Sequence, residues 1–152
     1  YMSNQINVLE AEDTMVGLIR FNSGVLATIE LTTAARPKDY EASIAIVGEK
    51  GFAQIGGIAL NKIDNWEFKE GSDSFKDVSK KCNVNVHNGM GYGHSDFLED
   101  LISSLNNDRK NMPMQVPEST NALELVHAFY ASFEEGRWVK MNEKKRSKLL
   151  GL

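Results

Sequence analysis

The sequence predicts an α+β domain: a predominantly antiparallel β-sheet with two C-terminal helices packed on one of its faces. Three observations carry the prediction. The first half holds four or five short runs of strand composition joined by turn residues. The second half holds two apolar stripes at helical spacing. The chain has 152 residues, 41% hydrophobic and 25% charged, an ordinary globular mix and long enough for one domain, residues 1–152, with its own core.

The strands come first. Residues 14–21 (TMVGLIRF) form an apolar run, and Asn22-Ser23-Gly24 supplies a turn. In residues 25–33, Val25, Ala27, Ile29 and Leu31 share one face, while Thr28, Glu30 and Thr32 share the other. Residues 40–48 follow, with β-branched Ile44, Ile46 and Val47. After a turn at Glu49-Lys50-Gly51, residues 52–55 return, and after Gly56-Gly57 a last run covers 58–68. Residues 69–91 read as a transition, with a loop tip at 70–74 and a short extended piece at 83–86.

The helices follow. Between Gly93 and Asn107, Phe97, Leu98, Leu101, Ile102 and Leu105 fall on one stripe, which Asn106-Asn107-Asp108 ends. Pro113 and Pro117 bracket an extended link, and Pro117 suits the first turn of the next helix. That helix, 118–135, carries Ala122, Val126, Phe129, Tyr130 and Phe133 on its apolar side and ends at Gly136. Trp138-Val139 reads as a final short strand. Residues 140–152 are a basic C-terminal tail, read as solvated, with an anion-binding patch as the sharper alternative. Two helices do not cover both faces of such a sheet. The face bearing Thr28, Glu30 and Thr32 is either a wet surface or the seat of a partner subunit.

Composition excludes several classes. The single cysteine, Cys82, leaves no intramolecular disulfide framework and fits a reducing, cytoplasmic compartment. A net charge of −4 gives no electrostatic case for nucleic acid. No apolar run reaches the length that spans a membrane. The chain begins Tyr1-Met2, so it reads as an excised piece of a longer protein.

The chemistry is sparse. Gly89, Gly91 and Gly93 followed by His94 spell G-x-G-x-G-H, and the dinucleotide fingerprint G-x-G-x-x-G needs glycine where His94 stands. Cys82, His87, His94 and His127 match no metal-ligand spacing. His127, between Val126 and Phe129, reads as a packed, hydrogen-bonded histidine. There is no G-x-S-x-G elbow. His94, with Tyr92 two residues before it, stands where a glycine-rich loop enters a helix; its alternatives are contact with a ligand or a helix cap. Arg36-Pro37-Lys38-Asp39-Tyr40 sets two cations beside an aromatic, suited to an anionic or phosphorylated ligand, or makes a plain basic turn.

The ordered set of features resembles a known family. The run EDTMVGLIRFNSGVLATIELTTAARPKDYEASIAIVGEKGFAQIGG, then GYGHSDFLEDLISSL, then a P-x-x-x-x-A-L-E-L-x-x-A-x-Y-x-S helix and G-x-x-V resemble the C-terminal domain of the glucose–fructose oxidoreductase, inositol dehydrogenase and MocA family. The similarity is nearest to members acting on nucleotide-linked sugars of the UDP-N-acetylglucosaminuronate type. It implies a substrate-binding and oligomerisation domain of an NAD- or NADP-dependent sugar dehydrogenase. The Rossmann domain, the catalytic lysine of E-K-P and the histidine of D-x-G-x-H-x-x-D have no counterpart in this sequence. The resemblance therefore implies no catalytic and no cofactor-binding residue here, and a chain that alone is inactive and binds no NAD. Tyr92 and His94 match the position that approaches substrate, and Arg36 and Tyr40 match a segment that reaches a substrate or a neighbouring subunit. The open sheet face implies a homodimer or homotetramer. The competing expectation is a stand-alone interaction module that associates through that face.

Overall fold

The structure, a computed structural model, describes residues 1–4, 11–71, 73–87, 89–107 and 116–150. Residues 72 and 88 of the transition, Asp108, Pro113 and residues 151–152 of the tail, on which readings above fall, lie outside the described residues. The chain divides into two compact units, Tyr1–Ala34 with Arg109–Leu152, and Ala35–Asp108. The architecture is α+β as predicted, but the strands form two three-stranded antiparallel sheets instead of one. The cause lies in residues 33–43. A connection of that length, with Pro37 in it, is no hairpin loop.

The first unit holds β1 (Met2–Ser3), β2 (Thr14–Arg20), β3 (Leu26–Thr32) and α3 (Val116–Glu135). The hairpin of β2 and β3 pairs Arg20 with Leu26. It turns at Gly24, whose φ of +91° suits glycine. Strand β2, read from sequence as a continuous apolar run, alternates instead. Met15, Gly17 and Ile19 are partly buried, while Val16, Leu18 and Arg20 are exposed. Helix α3 covers the inward face, for a Cβ at Gly17 would lie 2.5 Å from a Phe129 ring carbon and 3.1 Å from Ile29. Ala131 and Met2 are buried. Strand β1, paired Met2↔Met15 and Ser3↔Thr14, is too short to show a period in sequence.

After Gly136, which closes α3 at φ +62°, Trp138-Val139 is not a strand; it leads into a 3₁₀ turn at Met141–Glu143. Nor are residues 140–150 a free tail. Lys145 Nζ reaches Glu135 at 2.8 Å, and the Ser147 hydroxyl donates to Glu134. The Ser147 N–H donates to His127 Nδ1 at 3.3 Å, so His127 is hydrogen-bonded as expected. Charge composition alone hid this docking, because the partners are three residues of α3.

The second unit holds β4 (Ile44–Gly48), β5 (Gly51–Gly56), β6 (Lys62–Phe68), α1 (Phe75–Cys82) and α2 (Gly93–Asn106). Strand β4 starts at Ile44 and not at residue 40. Strand β6 starts at Lys62 and not at 58, because Gly57 (φ +86°) and Leu60 (φ 52°) turn the chain there. Helix α1 falls where the sequence predicts only a transition. Ser74 caps it, its Oγ accepting from the Asp77 N–H at 3.3 Å, with Lys80 and Lys81 in its last turn. It packs against β6. Residues 83–86 form no strand.

Candidate functional site

The two segments singled out by sequence both belong to the second unit, and three loops meet at one end of its sheet. The segment 36–42 arrives first. Its last residue, Ala42, donates its N–H to the Gly57 carbonyl at 2.9 Å, which joins it to the turn after β5. The Tyr40 hydroxyl donates to the Arg36 carbonyl at 2.9 Å, so the segment closes on itself. Arg36 Nη1 donates to the Ala35 carbonyl at 2.8 Å, and the Arg36–Pro37 peptide is cis.

The glycine loop lies on the same turn. A Cβ at Gly89 would be 3.5 Å from the Ile58 carbonyl oxygen and 4.0 Å from an Asp39 carboxylate oxygen. A Cβ at Gly91 would be 3.4 Å from the Ala59 Cβ. Gly91 also has φ +60°, a conformation that glycine adopts at least cost. A Cβ at either position would make only ordinary contacts, so it is the backbone conformation of Gly91 that favours glycine here.

Tyr92 stands at the N-terminal boundary of α2, with no side-chain cap. Tyr92 is 52% exposed and Tyr40 61% exposed. His94 is exposed in the first turn. Among the described residues no hydrogen bond or ion pair engages its side chain, so nothing there gives His94 a capping role. The candidate residues are thus all exposed: Arg36, Lys38 and Tyr40 on one loop, Tyr92 and His94 at the start of α2. Such groups stack on a base or sugar ring and bond phosphate or carboxylate oxygens.

Sequence reading missed Asn61 and Asn83, which hold these loops. Asn61 Oδ1 accepts from the Ala59 N–H at 3.2 Å, and Asn83 Oδ1 accepts from the Ile63 N–H at 2.8 Å. Asparagine beside a Gly-Gly turn was the available signal.

The glycine loop departs from the dinucleotide fingerprint in two ways. Residues 83–87, which precede the glycine loop, form no strand, and His94 occupies the third glycine position of the fingerprint. The first unit carries a cavity of about 990 Å³ lined by residues such as Phe21, Leu125, Trp138 and Met141, and none of the candidate residues lines it. Arg20 lies 5.7 Å from the Trp138 ring centroid there. Beside it an ion-pair cluster binds residues 135–145. Arg137 pairs with Glu143 (2.8 Å) and Glu135 (2.6 Å). The paired guanidinium, helped by the Lys140 N–H, brings the Glu143 carboxyl down to about 2. The Ser147 hydroxyl and the Lys148 N–H lower that of Glu134, and the Lys145 ammonium lowers that of Glu135.

Comparison with known proteins gives a consistent picture. A family model described as the C-terminal alpha/beta domain of the GFO/IDH/MocA oxidoreductase family matches residues 1–141. The WlbA dehydrogenase of Bordetella pertussis, solved in complex with NADH and UDP-GlcNAcA, is similar at 30% identity and a TM-score of 0.78, over 90% of this chain and 39% of that one. The WlbA dehydrogenase of Chromobacterium violaceum, solved with the same two ligands, is similar at 30% identity and a TM-score of 0.74, over 90% of this chain and 37% of that one. This chain thus spans less than two-fifths of either protein. A search of curated proteins gives no match. No helix among the described residues is long and apolar enough to cross a membrane.

Proposed function

Because the chain belongs to the GFO/IDH/MocA oxidoreductase family as its C-terminal alpha/beta domain, we propose that it forms the substrate-binding and oligomerisation part of an NAD(P)-dependent dehydrogenase for a nucleotide-linked sugar. The single observation that carries this reading is that the segment following Arg36–Tyr40, through Ala42, and the glycine loop preceding Tyr92 and His94, through Gly89 and Gly91, both meet the turn at Gly57–Asn61. It supports a site to which the cations, aromatic rings and histidine of these two segments contribute. The two similar structures, both solved with a UDP-sugar acid and NADH, support that ligand class.

In this account the nicotinamide, NAD or NADP, carries the hydride to or from a sugar hydroxyl carbon. It is bound by sequence outside this chain, and the chain alone binds no NAD and is inactive. Arg36 bonds phosphate or carboxylate oxygens. Tyr40 and Tyr92 stack against the base or sugar. His94 donates to, or accepts from, a substrate hydroxyl. The chain places the substrate and excludes water around it. The exposed face of β2 and β3, with Val16 and Leu18 beside Thr28, Glu30 and Thr32, is the seat of a homo-oligomer. The single cysteine fits a cytoplasmic home.

The test is direct. The full-length protein carrying this chain is mixed with UDP-GlcNAcA and either NAD or NADP, and reduced nicotinamide is followed by absorbance. His94→Ala in that protein weakens the nucleotide sugar more than the cofactor. Unchanged kinetics in His94→Ala count against the assignment of that residue.

A further inference from the structure

Asn61 and Val84 exchange two hydrogen bonds. The Val84 N–H donates to the Asn61 carbonyl at 3.0 Å, and Asn61 Nδ2 donates to the Val84 carbonyl. The opposite atom of the same amide, Oδ1, accepts from the Ala59 N–H. One side chain therefore uses its donor on one segment and its acceptor on another. The acceptor holds the Gly57–Asn61 turn. The donor holds the stretch that runs from α1 toward the glycine loop. Gly89 and Gly91 lie on Ile58 and Ala59, which belong to the turn that the amide shapes. The other side of that turn takes the hydrogen bond from Ala42, which ends the segment beginning at Arg36.

From this arrangement we infer that Asn61 is a positioning residue: its amide sets the Tyr92–His94 loop in place against the Arg36–Tyr40 segment, and so decides how tightly the site takes a nucleotide sugar. The consequence for ligand rests on the function proposed above; the positioning itself does not. A short polar side chain with a donor and an acceptor on one planar group meets both demands. Aspartate at 61 keeps the acceptor for Ala59 but sets a carboxylate oxygen against the Val84 carbonyl. Asn61→Asp thus preserves the turn and breaks the tether.

The experiment uses the full-length protein and has two readouts. Amide hydrogen exchange is followed across residues 44–94, and binding of UDP-GlcNAcA and of NADH is measured by calorimetry. In Asn61→Asp the amides of 84–94 exchange faster, while those of β4 and β5 keep their protection. The Kd for UDP-GlcNAcA rises about tenfold, which corresponds to roughly 1.4 kcal/mol, the size of one hydrogen bond. The Kd for NADH does not change, a split that general destabilisation does not produce. Asn61→Ser, which keeps a short polar side chain but cannot span from Ala59 to Val84, gives the same pattern should Asn61→Asp lose strand protection throughout. Wild-type exchange at 84–94 in both variants overturns the inference. Faster exchange with an unchanged Kd for UDP-GlcNAcA overturns it equally. A wild-type protein that takes up no UDP-GlcNAcA overturns the proposed function instead, and the exchange result then decides the role of Asn61 alone.

Discussion

The Tyr40 hydroxyl donates to the Arg36 carbonyl oxygen at 2.9 Å, tying the ends of a segment whose ring and cations face solvent. Tyr40→Phe removes that bond and leaves the ring. The bond is exposed, so its loss costs about 0.5–1 kcal/mol at most, the low end for a hydrogen bond. In the full-length protein, binding of UDP-GlcNAcA weakens a few-fold by calorimetry, and the melting temperature falls slightly. Unchanged affinity would remove the Tyr40 hydroxyl from the account of the site.

Gly91 and Gly93 separate backbone need from space. Gly91 has φ +60° and lies against Ala59. Gly91→Ala therefore costs about 1–2 kcal/mol, the penalty for a Cβ in the left-handed region. Nothing lies within 4 Å of a Cβ at Gly93, in the first turn of α2. Gly93→Ala leaves stability unchanged or raises it by about 0.4–1 kcal/mol. Urea titration of the two variants checks the contrast.

Gly17 reports on the seat of α3. An added methyl there would meet the Phe129 ring at 2.5 Å, a contact the packed face has to relieve by moving. Gly17→Ala is expected to cost about 1–3 kcal/mol, as overpacking does. Phe129→Leu in the same chain recovers part of the loss, and denaturant unfolding of the single and double variants measures how much.

Acid acts through the C-terminal segment. The Glu143 carboxyl lies at about 2, below its ordinary value of 4.5, held there by the Arg137 guanidinium and the Lys140 N–H. A carboxylate depressed in the folded state contributes stability above its unfolded value and loses it as pH falls. The contribution of Glu143 is therefore present above pH 4.5 and fades between there and about pH 2. Glu134 and Glu135 shift in the same direction. Glu143→Gln lowers the melting temperature at pH 7 and flattens its decline below pH 4.5. An acid profile identical to wild type would mean that the pair with Arg137 does not stabilise the fold.

Much of this was legible in the sequence, and the rest was hidden for identifiable reasons. The alternation of Val25–Thr33 holds at the centre of β3, where Ala27 and Ile29 are partly buried because burial on one side imposes a period of two, but Val25 and Leu31 of the same face are exposed. Gly24 and Gly136 marked their turns, because a positive φ favours glycine. Helix α1 was missed because Phe75 and Val78 are its only large apolar side chains, although Ser74 and Asp77 spelled its cap. The docking of Ser147 on Glu134 and His127 was invisible, since pairing between distant segments leaves no local pattern. For the site, Arg36, Tyr40, Tyr92 and His94 could be proposed from residue type and resemblance. That their loops share one turn, and that Asn61 bridges it to Val84, could only be seen in three dimensions.

The claim at the centre of the account is that this chain supplies the substrate site of a nicotinamide-dependent nucleotide-sugar dehydrogenase. Absorbance at the reduced-nicotinamide band, followed in the full-length protein with UDP-GlcNAcA and NAD or NADP, tests it most directly. The account predicts reduced cofactor formed in proportion to nucleotide sugar, and a higher KM for that sugar in His94→Ala. No reduced cofactor with either nicotinamide, together with no heat of binding for UDP-GlcNAcA, would contradict it.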